Sequence, residues 1–252
     1  MQQEITVDIG TELFLNHPFE DDFFIMEYSE QYAMMADRGD MTLLKDISEG
    51  NVKAFEELMH RYLDLVSRTS FRVLCDRIDS EFVTEKVFIV LWHDVLDYDD
   101  SLTVAEWLLR LTAHYCRVRI TRRHILRIFG VQNDLFVNVS PRVEDHDDYV
   151  AKQAWGLHCR ITSHMTPLQS AVYAMCVLDG LSVESVSRIT RKSHLRIESA
   201  LARANEIVMS ELRSYGRDKS YCRYNAFLRK VADSLTDYDR LVHEIFQQIG
   251  IK

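Results

Sequence analysis

The stretch WLLRLTAHYCRVRITRRHILR, residues 107–127, holds six arginines and two histidines and no acid. The arginines are Arg110, Arg117, Arg119, Arg122, Arg123 and Arg127, with Trp107, His114 and Tyr115 among them. Guanidinium groups pair with phosphates and aromatic rings stack on unpaired bases, so this mixture suits a surface that holds nucleic acid. The plainer alternative puts both aromatics in a core stripe and leaves the arginines solvated. For Trp107 that alternative is preferred. For the arginines it is not, because a helix so one-sided repels itself unless an anion offsets it.

A second cationic group lies in LSVESVSRITRKSHLRIESALARA, residues 181–204. Ser182 is placed to cap a short helix that turns Val183, Val186 and Ile189 inward, and Ser187 is the small residue where two helices cross closely. Thr190-Arg191-Lys192 forms the turn, and Ser193 caps a second helix with Ile197, Leu201, Ala204 and Val208 on its inner stripe. The outer positions are His194, Arg196, Glu198 and Ser199, then Arg203. A recognition helix needs this layout: long polar side chains near its N-terminus for base edges, and nearby cations such as Arg191 and Lys192 for phosphates. A helical hairpin with a solvated basic face is the alternative. Arg191 stands where such turns usually carry glycine.

Catalytic chemistry finds little to work with. None of the ten histidines forms an HExxH pair, and there is no GxSxG elbow, no phosphate-cradling glycine loop and no paired-carboxylate signature. His146, Asp147 and Asp148 could ligate a metal, but an acidic linker is the preferred reading. No cofactor or metal is expected, and the chain reads as a non-enzyme. The five cysteines (Cys75, Cys116, Cys159, Cys176 and Cys222) are widely spaced and read as reduced thiols of a cytoplasmic protein.

The net charge of −9 hides a sharp asymmetry. Residues 1–40 carry ten acids (Glu4, Asp8, Glu12, Glu20, Asp21, Asp22, Glu27, Glu30, Asp37 and Asp40) against one base, Arg38. The remaining 212 residues carry 29 acids and 29 bases. An acidic total therefore does not argue against a nucleic-acid partner. No apolar run reaches the roughly 18 residues of a membrane span, and MQQEITVDIG lacks the basic and apolar segments of a signal peptide.

The elements that must carry these groups are helices. Only three prolines and eight glycines interrupt the chain. From Asn51, an N-cap, apolar residues recur at Val52, Phe55, Leu58, Tyr62, Leu65, Val66, Thr69 and Val73, one stripe of a long helix. A second pattern runs from Asp79 to Val95, and a third starts at Thr103 and Glu106, which have capping-box spacing. Residues 128–145 lose the period and contain Gly130 and Pro141. Helical character returns over 144–163, and Thr166-Pro167-Leu168-Gln169 is a sharp start signal for a helix ending at Asp179-Gly180. A last helical segment spans about 221–249. The expected fold is all-α: an acidic extension (1–40), a helical domain (41–127), a linker (128–145), a helix-turn-helix domain (146–214) and a C-terminal helical extension (215–252).

Together these pieces resemble bacterial RNA polymerase sigma factors of the extracytoplasmic-function group of the sigma-70 family. AFEELMHRYLDLVSRTSFRVLCD (54–76) resembles the start of the family's region 2, and SEFVTEKVFIVLW (80–92) its polymerase-binding helix. WLLRLTAHYCRVRITRR (107–123) is similar to the helix that engages the melted −10 element. MTPLQSAVYAMCVLDGLSVESVSRI (165–189) and the helix after it resemble region 4, which reads the −35 element. The resemblance implies contact with core RNA polymerase through Glu81, Phe82, Glu85, Lys86, Phe88 and Trp92. It implies −10 contacts from Arg110, His114, Tyr115, Arg117, Arg119, Arg122 and Arg123, and −35 contacts from Arg191, Lys192, His194, Arg196, Glu198, Ser199 and Arg203. Double-stranded and melted promoter DNA are the implied ligands, with an anti-sigma factor as a further partner. The sequence departs from the family pattern at Phe82, Glu85-Lys86, His114, Val118, Thr121, Glu198 and Ala200.

The resemblance implies a dissociable promoter-specificity subunit. A helix-turn-helix regulator that no longer binds polymerase is the alternative, favoured by Phe82 and Lys86. A protein-binding helical decoy is a third reading, and it would tolerate loss of the arginines at 117–123 that this chain retains. The acidic segment suggests its own hypothesis, that residues 1–40 fold over the basic helices and restrain DNA binding. Deleting 1–40 should raise DNA affinity in a titration; unchanged affinity would sink the idea.

Overall fold

The computed structural model describes residues 39–128, 146–214, 224, 225, 228 and 238–250. The acidic segment to residue 38 and most of the expected linker lie outside the described residues. All regular structure among those described is helical.

Helix α1 spans Gly39–Ser48. Asp40, which the sequence groups with the acidic extension, is buried at its start, where its carboxylate takes Arg61 Nη1 at 2.6 Å and the Tyr62 hydroxyl. Burial, then the Asp40 carboxylate, push the Tyr62 hydroxyl pKa up. A deletion that probes the acidic segment must therefore stop before Asp40.

Helix α2 spans Val52–Leu74 and starts where Asn51 Oδ1 accepts from the Lys53 and Ala54 amides at 3.1 and 3.3 Å. Its first half obeys the expected stripe, with Phe55, Leu58 and Tyr62 buried and Glu56, Glu57 and His60 exposed. From Leu65 to Leu74 every residue is buried. The single stripe fails there because α2 is the central helix, enclosed by neighbours on several sides. Cys75 ends it with φ +52, a left-handed cap built without glycine.

Helix α3 (Arg77–His93) begins two residues before the expected Asp79, because Asp76 Oδ1 caps it by accepting from the Asp79 amide at 2.9 Å. A 3-10 turn at Val95–Asp97 leads to α4 (Val104–Ile128), whose Thr103–Glu106 capping box forms in both directions at 3.2 Å. Helix α5 spans His146–Ser163, with the side chains of His146, Asp147 and Asp148 outside the described residues. Helix α6 (Pro167–Tyr173) opens with the Thr166–Gln169 capping box and runs on into a π-helical turn at Ala174–Leu178. Helices α7 (Val183–Thr190), α8 (His194–Ser214) and α9 (Tyr238–Gln248) follow.

The halves of the chain do not keep separate cores. One cluster joins Phe55, Leu58, Val87, Phe88 and Leu108 to Val172, Met175, Val186, Ile189 and Ile197, and takes in Leu241 and Ile245 of α9. A second joins Phe71 of α2 to Trp155, Ile161, Tyr173 and Val208, with Phe71 and Trp155 stacked at 4.3 Å and 3°. Between them Asp179, wholly buried, pairs with the buried Arg72 guanidinium, lies 3.8 Å from Arg68 Nε and accepts from Thr69 Oγ1 at 3.0 Å. His158 adds another bridge, from Nε2 to the Arg72 carbonyl and from Nδ1 to the Tyr224 hydroxyl, each 3.0 Å.

Removing one member of a buried ion pair strands the other in a low dielectric. Asp179→Ala should cost about 3–5 kcal/mol, read from urea unfolding. A cost below about 1 kcal/mol, as for an exposed pair, would show that the carboxylate is not needed there.

Candidate nucleic-acid interface

The segment expected to form a helix-turn-helix is positioned by its own caps. Ser182 Oγ accepts from the Ser185 amide at 3.1 Å, and α7 stops at Arg191, whose φ of +54 is the left-handed conformation usually given to glycine. Ser187 does more than permit a close crossing, because its hydroxyl donates to the Lys192 carbonyl at 2.6 Å and ties the turn to α7. Ile197, Ala204 and Val208 are fully buried against α6 and α7. Ala200 is buried as well, so its departure from the family pattern falls on the packed face.

The opposite face of α8 is open. Lys192, His194, Arg196, Glu198, Ser199 and Arg203 are all exposed, and Arg203 pairs with Glu206 at 2.6 Å. Leu195 is 73% exposed among them, an apolar group of the kind that meets a thymine methyl. Sequence reasoning passed over it. The available signal was an apolar residue at the second position of an otherwise polar face.

Helix α4 divides its cations. His114, Arg117 and Arg122 are exposed, and Tyr115 is half-buried with its ring edge-on to His114 at 5.2 Å. The other three arginines of the expected −10 surface are held by carboxylates or carbonyls. Arg110 pairs with Asp99 at 2.5 Å and donates to the Arg188 and Ile189 carbonyls at the end of α7, at 2.9 and 3.2 Å. Arg119 pairs with Asp79 at 2.5 Å and lies 4.1 Å over the Phe82 ring. Arg123 pairs with Asp76 at 3.2 Å and with Asp79, and donates to the Leu74 carbonyl. The anions that offset these three arginines are thus the chain's own. Trp107 is core, 4% exposed.

Around Arg110 the α4–α7 contact continues. Arg188 pairs with Glu106 at 2.5 Å, and Arg191 reaches to within 3.6 Å of Asp99. Hydrogen bonds from Ser101 and then Arg110 hold the Asp99 carboxyl well below the usual carboxylate range.

The helix expected to meet polymerase has another element lying on it. Glu81 pairs with Arg240 of α9 at 2.6 Å as well as with Arg77 at 2.8 Å, and Glu85 accepts from Gln248 at 2.7 Å. Burial pushes the Glu85 pKa up. Phe88 is fully buried. Phe82 is partly buried between Arg119 and Lys86, whose Nζ lies 5.7 Å from its ring centre. Trp92 packs edge-on against Phe55 at 5.2 Å, and Phe246 of α9 meets the same ring at 5.9 Å.

No protein-family model matches the chain. A curated relative, the ECF RNA polymerase sigma factor SigE of Mycolicibacterium smegmatis, is 25% identical over 137 residues, which is 53% of this chain and 51% of that protein. The chain thus spans about half the length of that relative. The match supports a sigma-factor-like role in transcription. No described helix is long and apolar enough to cross a membrane.

The two kinds of arginine on α4 should separate in a melting experiment. Arg110→Ala should lower the melting temperature, while Arg117→Ala should leave it within error. The Asp99 pKa is depressed in the fold, so its stabilising effect is present above the ordinary carboxylate pKa of about 3.9 and is lost as pH falls below it. The melting difference between wild type and Asp99→Asn should therefore vanish in strong acid; a difference that persists there would refute the assignment.

Proposed function

We propose that the chain is a promoter-specificity subunit of the sigma-factor type, which binds core RNA polymerase and promoter DNA and catalyses no reaction itself. The observation that carries this reading is the open N-terminal face of α8, with Lys192, His194, Arg196 and Ser199 exposed above a buried apolar rear. A helix presented in this way fits the major groove, its N-terminal side chains at base edges and Arg191 and Lys192 at phosphates. On α4, His114, Tyr115, Arg117 and Arg122 would meet the melted −10 strand. Arg110, Arg119 and Arg123 would join them only after leaving Asp99, Asp79 and Asp76.

Contact with polymerase would use α3, and it requires α9 to move from Glu81 and Glu85. That same cover is the observation favouring the second reading, a DNA-binding regulator that does without polymerase.

Two binding experiments on the full chain decide between them. Arg196→Ala should weaken binding to a selected duplex by about 1–3 kcal/mol and relax base preference, with affinity falling steeply with salt for both proteins. Arg240→Glu, which sets a carboxylate against Glu81, should raise retention on sigma-free core polymerase several-fold. No retention of either protein, with duplex binding intact, would establish the regulator. Loss of neither function in Arg196→Ala would remove α8 as the reading element.

A further inference from the structure

Two of the cysteines that the sequence places 84 positions apart meet in the fold. Cys75 is the residue after α2, and Cys159 lies on α5 in the other half of the chain. The Cys159 thiol donates to the Cys75 carbonyl oxygen at 3.7 Å, and the Thr162 hydroxyl, bound to the Cys159 carbonyl at 3.1 Å, sits between the two residues. Thr162 Oγ1 lies 3.1 Å from Cys75 Sγ. Both cysteines are only partly buried. They line a cavity of about 460 Å³ together with Leu74, Arg123, His124 and Thr162, large enough to admit a small solute. Cys75 holds a left-handed backbone conformation that a side chain disfavours, and that conformation sets the direction of its Cα–Cβ bond.

We propose that Cys75 and Cys159 are a peroxide-oxidisable dithiol whose disulfide staples the end of α2 to α5. The roles of the two sulfurs are unequal. Burial raises the Cys75 pKa, but the polar groups around it, the Thr162 hydroxyl at 3.1 Å among them, outweigh it and lower it, so the thiolate is favoured. Cys159 is pushed the other way, first by the neighbouring Cys75 and then by burial. Cys75 is the attacking sulfur and Cys159 the resolving one.

The Cys75 thiolate attacks one oxygen of hydrogen peroxide, the O–O bond breaks, and the departing hydroxide takes up a proton to leave as water. Cys75 is then a neutral sulfenic acid. The Cys159 sulfur then attacks the Cys75 sulfur. The S–O bond breaks and the hydroxyl leaves with the Cys159 proton as a second water. Two thiols have lost two electrons and two protons to one peroxide, which is reduced to two waters.

Hydrogen peroxide added to the reduced full-length protein, followed by alkylation and peptide mapping without reductant, tests this. The expected product is a peptide pair linked through Cys75 and Cys159, lighter by two hydrogens and released by dithiothreitol, with the buried Cys116 still reduced. Cys159→Ser should stop the reaction at a sulfenic acid on Cys75 that a dimedone probe captures. Linkage in the wild type requires no variant, so a Cys159→Ser protein that misfolds does not rescue a negative result. Unchanged alkylation of both thiols after peroxide, or their separate oxidation without linkage, overturns the proposal. These readouts involve neither polymerase nor DNA, so their failure is distinct from failure of the sigma-factor reading.

Discussion

The fold turns on one buried carboxylate. Asp179 follows the π-helical turn and points into α2, where Arg72, Arg68 and Thr69 surround it. A carboxylate moved from water to such a site loses several kcal/mol of hydration, and only good partners offset the loss. The partners lie on a different half of the chain, so the pair forms only when both halves are packed. Register follows from the same constraint. The extra residue of the π turn at Ala174–Leu178 rotates the end of α6, and the Asp179 amide closes back on the Ala174 carbonyl at 2.8 Å. Phe71 on Trp155 and His158 on the Arg72 carbonyl extend the contact along α2. The all-round burial of Leu65–Leu74 is its consequence.

What could be read from the sequence was local. Asn51, Thr103–Glu106, Thr166–Gln169 and Ser182 act within three residues of themselves, so type and spacing sufficed to place four helix starts. The inward positions of α8 followed from period alone, and so did its exposed face. The failures share the opposite property. Arg110, Arg119 and Arg123 looked like uncompensated cations because their anions, Asp99, Asp79 and Asp76, belong to other elements. Charge counted along one helix cannot detect a partner that only tertiary packing supplies. The role of the last segment was unreadable for the same reason, since Arg240 and Gln248 acquire meaning only against Glu81 and Glu85. The left-handed Cys75 carried no glycine to announce it.

The candidate surfaces are treated unequally by this packing. The candidate face of α8 is outward and its side chains make few contacts that closure needs. The candidate face of α3 is engaged with α9, and on α4 Arg110, Arg119 and Arg123 are engaged with Asp99, Asp79 and Asp76 while His114, Arg117 and Arg122 stay exposed. An arrangement of this kind lets a protein hold one binding surface ready while another waits on a rearrangement.

The asymmetry limits which partner could bring the rearrangement about. A ligand shifts an equilibrium between two arrangements only by the difference in its affinity for them. On the proposed reading, duplex DNA seated on α8 would meet Lys192, His194 and Arg196 in the closed form as well as in an open one, and would compete only for Arg191, which lies 3.6 Å from Asp99. Its leverage on closure is therefore small however tightly it binds. On the proposed reading, a protein that competes with Arg240 for Glu81, or melted DNA that draws Arg119 from Asp79, gains contacts only in the open form. Such partners supply the differential affinity that opening needs. Promoter recognition in this chain would then follow an order set by packing, with the upstream element read first and the engaged groups of α3 and α4 released by polymerase.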